Sequence, residues 1–257
     1  MGDYATIGPV RMYYETVGER GQPVVLLHGA YGGAFSWQGQ IEALSARYRL
    51  FIPEQRGRAH TADVPGPMSF QAMTNDTLGF IESVVGEPVY LVGASDGGII
   101  GLLAALKRPD VVHKLVAIGA NYHYDGVVPN SGFGVSADDK AWARPRERYG
   151  QLSPDGPDHW PVLFEKLSRM WREEPTLTVG DLAMIEIPVL VIVGDDDVVA
   201  MDHTVTLYQA LQQGQLAVIP GASHVVFMEQ PDLINSLIER FLDAKGPPET
   251  LMPIRRA

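Results

Sequence analysis

Residues 89–106 read VYLVGASDGGIIGLLAAL and contain the clearest indication of the fold class in the chain. The first four of these residues are apolar on both faces, as is typical of a strand that is covered by helices on both sides. Small residues then surround Ser95, and from Ile99 to Leu106 the chain is apolar all round, which indicates a buried helix. A strand, a tight turn and a helix in this order form the basic unit of a parallel sheet.

The same alternation of short apolar runs and helical patterns continues along the chain. Further strands are predicted at Val24–Leu27, Tyr48–Ile52, Leu115–Ile118, Val189–Val193 and Leu216–Ile219. After Ser69, the expected N-cap, and again after Pro231, apolar residues recur at intervals of three and four, as on one face of a helix. Tyr4 to Val17 predict an antiparallel hairpin at one edge of the sheet. The fold class is therefore α/β, a mostly parallel sheet with helices on both faces.

One segment, residues 122–180, interrupts this alternation. It contains eight of the 22 Phe, Trp and Tyr residues of the chain within 59 positions. We interpret it as a short aromatic-rich cap, inserted over the carboxyl ends of the strands, where open α/β sheets bind ligands. A segment that only packs on the core is the alternative. Residues 1–121 and 181–243 would then form the core, and residues 244–257 a flexible tail.

Composition and charge exclude several classes of protein. With 46% hydrophobic and 20% charged residues, the chain is expected to be globular. A net charge of −11 would repel a polyanion, so no nucleic-acid partner is expected. The absence of cysteine rules out disulfides and thiolate metal sites. We expect no metal and no cofactor.

The sequence carries no pattern for export or for a membrane span. Its first residues lack a basic region followed by an apolar stretch. The most apolar run, Gly97 to Leu106, is about half as long as a bilayer requires. We therefore expect a cytoplasmic protein whose partners are a small-molecule substrate and water, with no membrane partner. The sequence leaves open whether the chain forms a homo-oligomer.

The turn within the first stretch fits the pattern G-x-S-x-G at residues 93–97. In a strand–turn–helix setting, the serine lies on a tight turn that exposes its hydroxyl, and small neighbours are needed because backbone segments approach closely. The N-terminus of the following helix directs backbone N–H groups at a developing oxyanion. Ser95 is therefore the candidate nucleophile, and a helix-capping serine is the alternative.

A serine hydroxyl becomes a good nucleophile only when a base takes its proton. His224 is the candidate base, because it follows the last predicted strand in a turn-rich loop, and His28 is the second candidate. The base needs an acid that fixes its tautomer. Asp197, three residues after Gly194 at the end of a predicted strand, is the candidate acid, and Asp125 is the alternative.

Two backbone N–H groups should stabilise the oxyanion that forms when a serine attacks a carbonyl. The residue after the nucleophile, Asp96, supplies one. The other is expected from the glycine-rich segment HGAYGG at residues 28–33, with Ala30 as first and Tyr31 as second candidate. An ordinary glycine-rich turn is the alternative interpretation of that segment.

The segments VVLLHGAYGG, LVGASDGG, VIVGDDD and GASHVVFMEQP, in this order, resemble the α/β-hydrolase superfamily over roughly residues 24–242. Within it, the Ser-Asp-Gly-Gly turn and the later IGAN at residues 118–121 are similar to the valacyclovir hydrolase (biphenyl hydrolase-like) group. The resemblance implies an α/β-hydrolase fold and, for Asp96, a side chain that faces the ammonium of an amino-acid ester. The sequence departs from many relatives at residues 54–59, where EQRGRA replaces Asp-x-x-Gly-x-Gly.

Residues and resemblance together predict a serine hydrolase that cleaves a small to medium carboxylic ester, a lactone or an activated amide through an acyl-enzyme on Ser95. The side chains expected to contact the substrate are Tyr31, Trp37, Asp96, Trp142, Trp160 and Trp171. A cofactor-free perhydrolase (haloperoxidase), a carbon–carbon bond hydrolase and an acyltransferase would use the same triad. A ligand-sensing module that keeps the triad is the non-enzyme alternative.

Overall fold

The structure, a computed structural model, describes residues 2–129, 131 and 136–253. Residues 130 and 132–135 of the predicted cap and residues 254–257 of the predicted tail lie outside the described residues. The strands are β1 (Gly2–Ile7), β2 (Val10–Val17), β3 (Pro23–Leu27), β4 (Arg49–Pro53), β5 (Val89–Ala94), β6 (Val112–Ile118), β7 (Val189–Asp196) and β8 (Gly214–Ser223).

These strands form one sheet in the order β1-β2-β4-β3-β5-β6-β7-β8. β1 and β2 are an antiparallel hairpin at one edge, and β2 also pairs antiparallel with β4. The pairings from β4 through β3 and β5 to β8 are parallel. The predicted α/β class and the predicted edge hairpin are both confirmed. The parallel strands bring their carboxyl ends to the same side of the sheet, where ligands bind in open α/β sheets.

The α-helices of the described residues are α1 (Gln38–Ser45), α2 (Phe70–Phe80), α3 (Asp96–Lys107), α4 (Ala143–Leu152), α5 (Trp160–Glu173), α6 (Val179–Ala183), α7 (Met201–Ala210), α8 (Val226–Glu229) and α9 (Pro231–Asp243). Ser69 caps α2, since its hydroxyl accepts a hydrogen bond from the Ala72 N–H (3.1 Å). α2 ends at Phe80, and the wider turn that follows it is closed by a hydrogen bond from the Gly86 N–H to the Ile81 carbonyl (2.8 Å). Gly86 permits this closure because its φ is +73°. No helix in the described ranges is long and apolar enough to cross a membrane.

The sheet separates two hydrophobic clusters. Val25 and Leu27 of β3 belong to the cluster that also contains α2, α3 and α5 side chains, whereas Val24 and Leu26 belong to the cluster beneath α1 and α9. This division follows from the alternation of side chains along a strand. All four side chains have no exposed surface, which is why the strands are apolar on both faces.

The chain between β6 and β7 carries the helices α4 and α5. α5 turns an apolar side towards the cluster around α2 and α3 through Trp160, Leu163, Phe164, Leu167 and Met170. Polar contacts add to this packing: Lys166 Nζ donates to Asp63 Oδ2 in the loop after β4 (2.6 Å), and Glu174, just after α5, accepts the Phe70 N–H at the start of α2 (2.8 Å). Polar contacts therefore attach α5 to neighbouring segments at its middle and just beyond its C-terminus.

Candidate active site

Ser95 lies at the junction of β5 and α3, at the carboxyl side of the sheet. Its φ and ψ are +53° and −120°, a conformation that a residue with a side chain rarely adopts and that costs about 1–3 kcal/mol. The turn is so tight that a Cβ on Gly93 would lie 2.2 Å from the Gly97 carbonyl oxygen, and one on Gly97 would lie 2.0 Å from the Leu27 carbonyl oxygen. Both positions therefore require glycine, as the sequence pattern indicates.

The structure brings Ser95, His224 and Asp197 together. His224 follows β8, and its Nε2 lies 3.0 Å from Ser95 Oγ. Asp197 follows β7, and its Oδ1 lies 2.8 Å from His224 Nδ1. Because a carboxylate can only accept, the Nδ1–H donates to Asp197, and Nε2 is left to accept the hydrogen of the Ser95 hydroxyl. This is the tautomer that a base needs in order to take the serine proton.

Asp197 is buried, and Gly119 packs closely against both Asp197 and His224. The Asp197 side chain is 1% exposed, and Oδ1 also accepts the Val199 N–H (2.9 Å). A Cβ on Gly119 would lie 3.0 Å from His224 Nδ1 and 3.3 Å from Asp197 Oδ2. Sequence reasoning missed Gly119, although it stands at the end of β6 within the IGAN segment.

The second candidates for base and acid lie elsewhere. The His28 ring is buried, its Nδ1 lies 2.7 Å from the Gly29 carbonyl oxygen, and its Nε2 accepts the Gln55 N–H (3.0 Å). Burial lowers the pKa of His28 to about 4, so the ring joins the loops after β3 and β4 as a neutral group. Asp125 is largely exposed and lies 3.4 Å from His123 Nδ1.

The two residues expected to bind the oxyanion flank Ser95. Asp96 is the first residue of α3, where backbone N–H groups have no partner within the helix. The loop that carries Ala30 passes close to the serine, since a Cβ on Gly29 would lie 3.1 Å from Ser95 Cβ and 3.8 Å from Ser95 Oγ. A carbonyl that Ser95 attacks would therefore meet the start of α3 on one side and this loop on the other.

The Asp96 carboxylate already has partners within the protein. Trp171 Nε1 donates to Oδ1 (3.0 Å), and Arg58 Nη2 donates to Oδ2 (3.3 Å). Both side chains of the ion pair are almost fully buried. Burial raises the pKa of the Asp96 carboxyl, and the Arg58 guanidinium opposes that rise. Arg58 belongs to the segment that departs from the family pattern, and sequence reasoning assigned it no role.

A small cavity opens beside the serine. Its volume is about 60 Å³, and its lining includes Ser95, His224, Asp96, Trp171, Ile99 and Val199. The Ser95 hydroxyl and the Trp171 indole therefore border the same small space.

The chain matches the alpha/beta hydrolase family over residues 24–237. It belongs to this family. It is 30% identical to the putative carbamate hydrolase RutD of Agrobacterium fabrum, over 90% of this chain and 98% of that protein. It is 27% identical to the human serine hydrolase BPHL, over 92% of this chain and 84% of that protein.

Solved structures agree with this assignment. The meta-cleavage product hydrolase CumD of Pseudomonas fluorescens superposes with a TM-score of 0.78 and 25% identity, over 91% of this chain and 94% of that one. The enol-lactonase of Burkholderia xenovorans superposes with a TM-score of 0.76 at 22% identity, a likeness of fold. The protein is thus a hydrolase with the α/β-hydrolase fold, as the sequence predicts.

The predicted substrate contacts lie at different distances from the serine of this hydrolase. Asp96 and Trp171 line the cavity. Tyr31 stands behind Trp171, with ring centroids 5.7 Å apart, and contacts Trp142 at 5.1 Å and Trp160 at 4.8 Å. Tyr31 and the three tryptophans form an aromatic cluster. Trp160, which is 1% exposed, is part of the core.

Trp37 differs from its predicted role as a substrate contact. Its side chain has no exposed surface and packs against Phe227, with ring centroids 4.9 Å apart, in the cluster beneath α1 and α9. The turn Ala34–Trp37 leads directly into α1, and this directs the indole towards the opposite face of the sheet. We therefore leave Trp37 out of the proposed substrate contacts.

Proposed function

We propose that this hydrolase cleaves a carboxylic ester, a lactone or an activated amide with a small acyl group, through an acyl-enzyme on Ser95. One observation carries the proposal: Ser95 Oγ lies 3.0 Å from His224 Nε2, and His224 Nδ1 lies 2.8 Å from the buried Asp197. The cavity of about 60 Å³ beside the serine supports a small acyl group over a long one.

Two half-reactions follow from these contacts. His224 Nε2 takes the hydroxyl proton as Ser95 Oγ attacks the carbonyl carbon, and the backbone N–H groups of Ala30 and Asp96 stabilise the oxyanion. His224 then gives the proton to the leaving oxygen or nitrogen, which departs and leaves the acyl group on Ser95. In the second half a water molecule loses a proton to His224 and attacks the acyl carbon. The bond to Ser95 Oγ then breaks, His224 returns the proton to Oγ, and the acid is released. Asp197 stabilises the imidazolium in both halves.

Asp96 is a poor candidate for an ammonium site in this chain. In the group that the sequence resembles, the equivalent aspartate faces the ammonium of an amino-acid ester. Here an ammonium would have to compete with Arg58 and Trp171, which already donate to both carboxylate oxygens. We therefore propose that the substrate needs no amino group.

A carbamate is the second candidate substrate. The relative that is 30% identical over almost its whole length is named a putative carbamate hydrolase. A carbamate presents the same electrophilic carbonyl carbon to Ser95, so the proposed mechanism needs no further group. Carbon–carbon bond cleavage, one of the alternatives that the sequence leaves open, would use the same triad on a different leaving group.

The decisive experiment measures turnover of p-nitrophenyl esters from acetate to decanoate beside a p-nitrophenyl carbamate. We expect the highest kcat/KM for acetate or propionate and a burst of p-nitrophenol equal to the enzyme concentration. Ser95→Ala should lower kcat about 10⁵- to 10⁶-fold if the triad acts as a unit. A loss of less than tenfold would remove Ser95 from this role, and negligible turnover of all substrates by the unaltered protein would favour the ligand-sensing alternative.

A further inference from the structure

Arg58 connects the two segments that we propose for the oxyanion hole. Its Nε donates to the Ala30 carbonyl oxygen (2.9 Å), and its Nη2 donates to Asp96 Oδ2 (3.3 Å). The arginine comes from a third segment, the loop after β4. A single planar group thus holds the loop after β3 and the start of α3 at a fixed separation.

A comparison with Arg56, two residues earlier, shows how unusual this use of the guanidinium is. Nε and Nη2 of Arg56 both donate to the same carboxylate, Asp76, at 2.6 and 2.8 Å. In Arg58 the same two nitrogens have different acceptors: Nε donates to the Ala30 carbonyl and Nη2 donates to Asp96. Arg56 therefore makes an ordinary bidentate ion pair, whereas Arg58 bridges two separate segments of the chain.

The surroundings of Arg58 are poorly suited to a guanidinium that only stabilises the fold. Its side chain is 1% exposed. Nη1 donates to the Arg56 carbonyl (2.8 Å), but its other neighbours are the sulfur atoms of Met68 (2.9 Å) and Met73 (3.3 Å), which are weak acceptors. A buried charge in such surroundings is costly, and apolar side chains of similar size are often at least as stable. A role in the reaction explains why the charge is present.

The loop that carries Ala30 needs such a contact. Residues 28–30 belong to neither a helix nor a strand, and a turn hydrogen bond from the Gly32 N–H to the Gly29 carbonyl (3.1 Å) closes around Ala30. The Ala30 N–H itself is not held by helix or strand pairing. An oxyanion hole works only when its donors point at the position of the developing charge. The bond from Arg58 to the Ala30 carbonyl holds the peptide that follows Ala30, and so restrains the C-terminal side of this residue relative to Asp96.

We propose that Arg58 is a positioning residue, which aligns the Ala30 and Asp96 N–H groups for the transition state by bridging the two residues. The inference rests on the proposed function, since it assumes an oxyanion formed at Ser95. Arg58 does not contact the substrate. It acts through the residues that it holds.

The principal test compares Arg58→Lys with Arg56→Lys. A lysine keeps the charge, but its ammonium cannot hold two acceptors at the spacing of the guanidinium fork. Because loss of one oxyanion donor costs about 10²- to 10³-fold, misalignment in Arg58→Lys should lower kcat about 10- to 100-fold, with KM for p-nitrophenyl acetate within about threefold. Arg56→Lys disturbs the same loop and also loses a buried bidentate pair, so it controls for lost stability. Its kcat should stay within about threefold.

A second measurement separates alignment from general damage. The inhibition constant of phenylboronic acid, which forms a tetrahedral adduct with a serine, should rise in Arg58→Lys by the same factor as kcat/KM falls. If Arg58→Lys does not fold, Asp96→Asn serves instead, because an amide N–H facing the Arg58 or Trp171 donors breaks the same bridge. Its kcat should fall at least fivefold at unchanged KM. Where Arg58→Lys folds, adding Asp96→Asn to it should lower kcat little further than Arg58→Lys alone.

Each outcome decides the matter. Wild-type kcat in Arg58→Lys, or in Asp96→Asn where that variant serves instead, overturns the inference. So does an equal loss in Arg56→Lys. In both cases a normal p-nitrophenol burst leaves the proposed function intact. Absence of any burst in the unaltered protein overturns the proposed function itself, and with it the role of Arg58.

Discussion

Gly119 is the position where one added methyl group tests the geometry of the site most directly. It directly follows β6 with a φ of +57°, and an added Cβ would lie 3.0 Å from His224 Nδ1 and 3.3 Å from Asp197 Oδ2. Ordinary van der Waals contact begins at 3.4 Å. In Gly119→Ala the imidazole must therefore move by a few tenths of an ångström, away from the position that receives the serine proton.

Two separate losses follow from this substitution. The left-handed backbone conformation costs an L-residue about 1–2 kcal/mol. In a chain of this size that corresponds to a fall in Tm of about 2–8 °C. Since a 1 Å misplacement can cost about 100-fold in rate, a displacement of roughly 0.4 Å should lower kcat about 5- to 10-fold. Tm is measured by circular dichroism and kcat with p-nitrophenyl acetate.

Gly86→Ala is the matched control. Gly86 has a φ of +73°, and an added Cβ there would meet no atom within 4 Å. The control should therefore show a similar fall in Tm and an unchanged kcat. If kcat of Gly119→Ala stays within twofold of kcat of Gly86→Ala, the backbone that follows β6 does not set the position of His224.

Three further predictions concern Asp197, Asp63 and Asp96. Asp197→Asn should lower kcat about 10³- to 10⁴-fold with little change in KM, because the imidazole loses the acceptor that fixes its tautomer; steady-state kinetics will detect a smaller loss if Asp197 is not the acid. Burial opposes but does not prevent a lowered pKa of Asp63, which Lys166 and His159 hold below its ordinary value. A carboxyl group whose pKa is lowered by folding stabilises the fold at pH values above its unfolded pKa of about 3.9, and this stabilisation is lost as the pH falls through its folded pKa. The Tm deficit of Asp63→Asn should therefore be full at neutral pH and vanish in acid. A Tm deficit that does not depend on pH contradicts this. Asp96→Ala should change KM by the same factor for the p-nitrophenyl esters of valine and of 3-methylbutanoic acid, and a selective rise for the valine ester would restore the ammonium site.

The parallel sheet could be predicted because each buried strand leaves a local pattern. β3, β5, β6 and β7 are apolar on both faces, and this property is visible within five or six residues. The same holds for the turn at Ser95, whose small neighbours follow from crowding by the backbone within the turn. Ser69 likewise marks the start of α2 within one residue, because capping is a local interaction.

The contacts that the sequence did not reveal are long-range. Arg58 and Asp96 are 38 positions apart, and Gly119 and His224 are separated by most of the second half of the chain. Such pairs form only when several strands are assembled in one order, and a single sequence contains no record of that order. A pattern of Gly or Arg residues cannot show which loop will lie opposite.

The aromatic residues illustrate a related limit. Trp37 and Trp171 are the same type of residue, yet Trp37 is buried beneath α1 and Trp171 lines the cavity beside Ser95. Which side of the sheet a tryptophan faces depends on the direction in which its helix leaves the preceding turn. That direction is decided by packing between elements, so residue type alone could not separate the two.

Helix α5 touches both the rim and the interior of the site. Lys166 binds Asp63 in the loop after β4, while Trp171, about one and a half turns further along, donates to Asp96 beside the nucleophile. Substrate access and the polarity around the serine are consequently not independent variables. Any displacement of α5 that widens the cavity withdraws the indole N–H from Asp96, so the substrates that the protein can admit and the electrostatics that they then encounter change together.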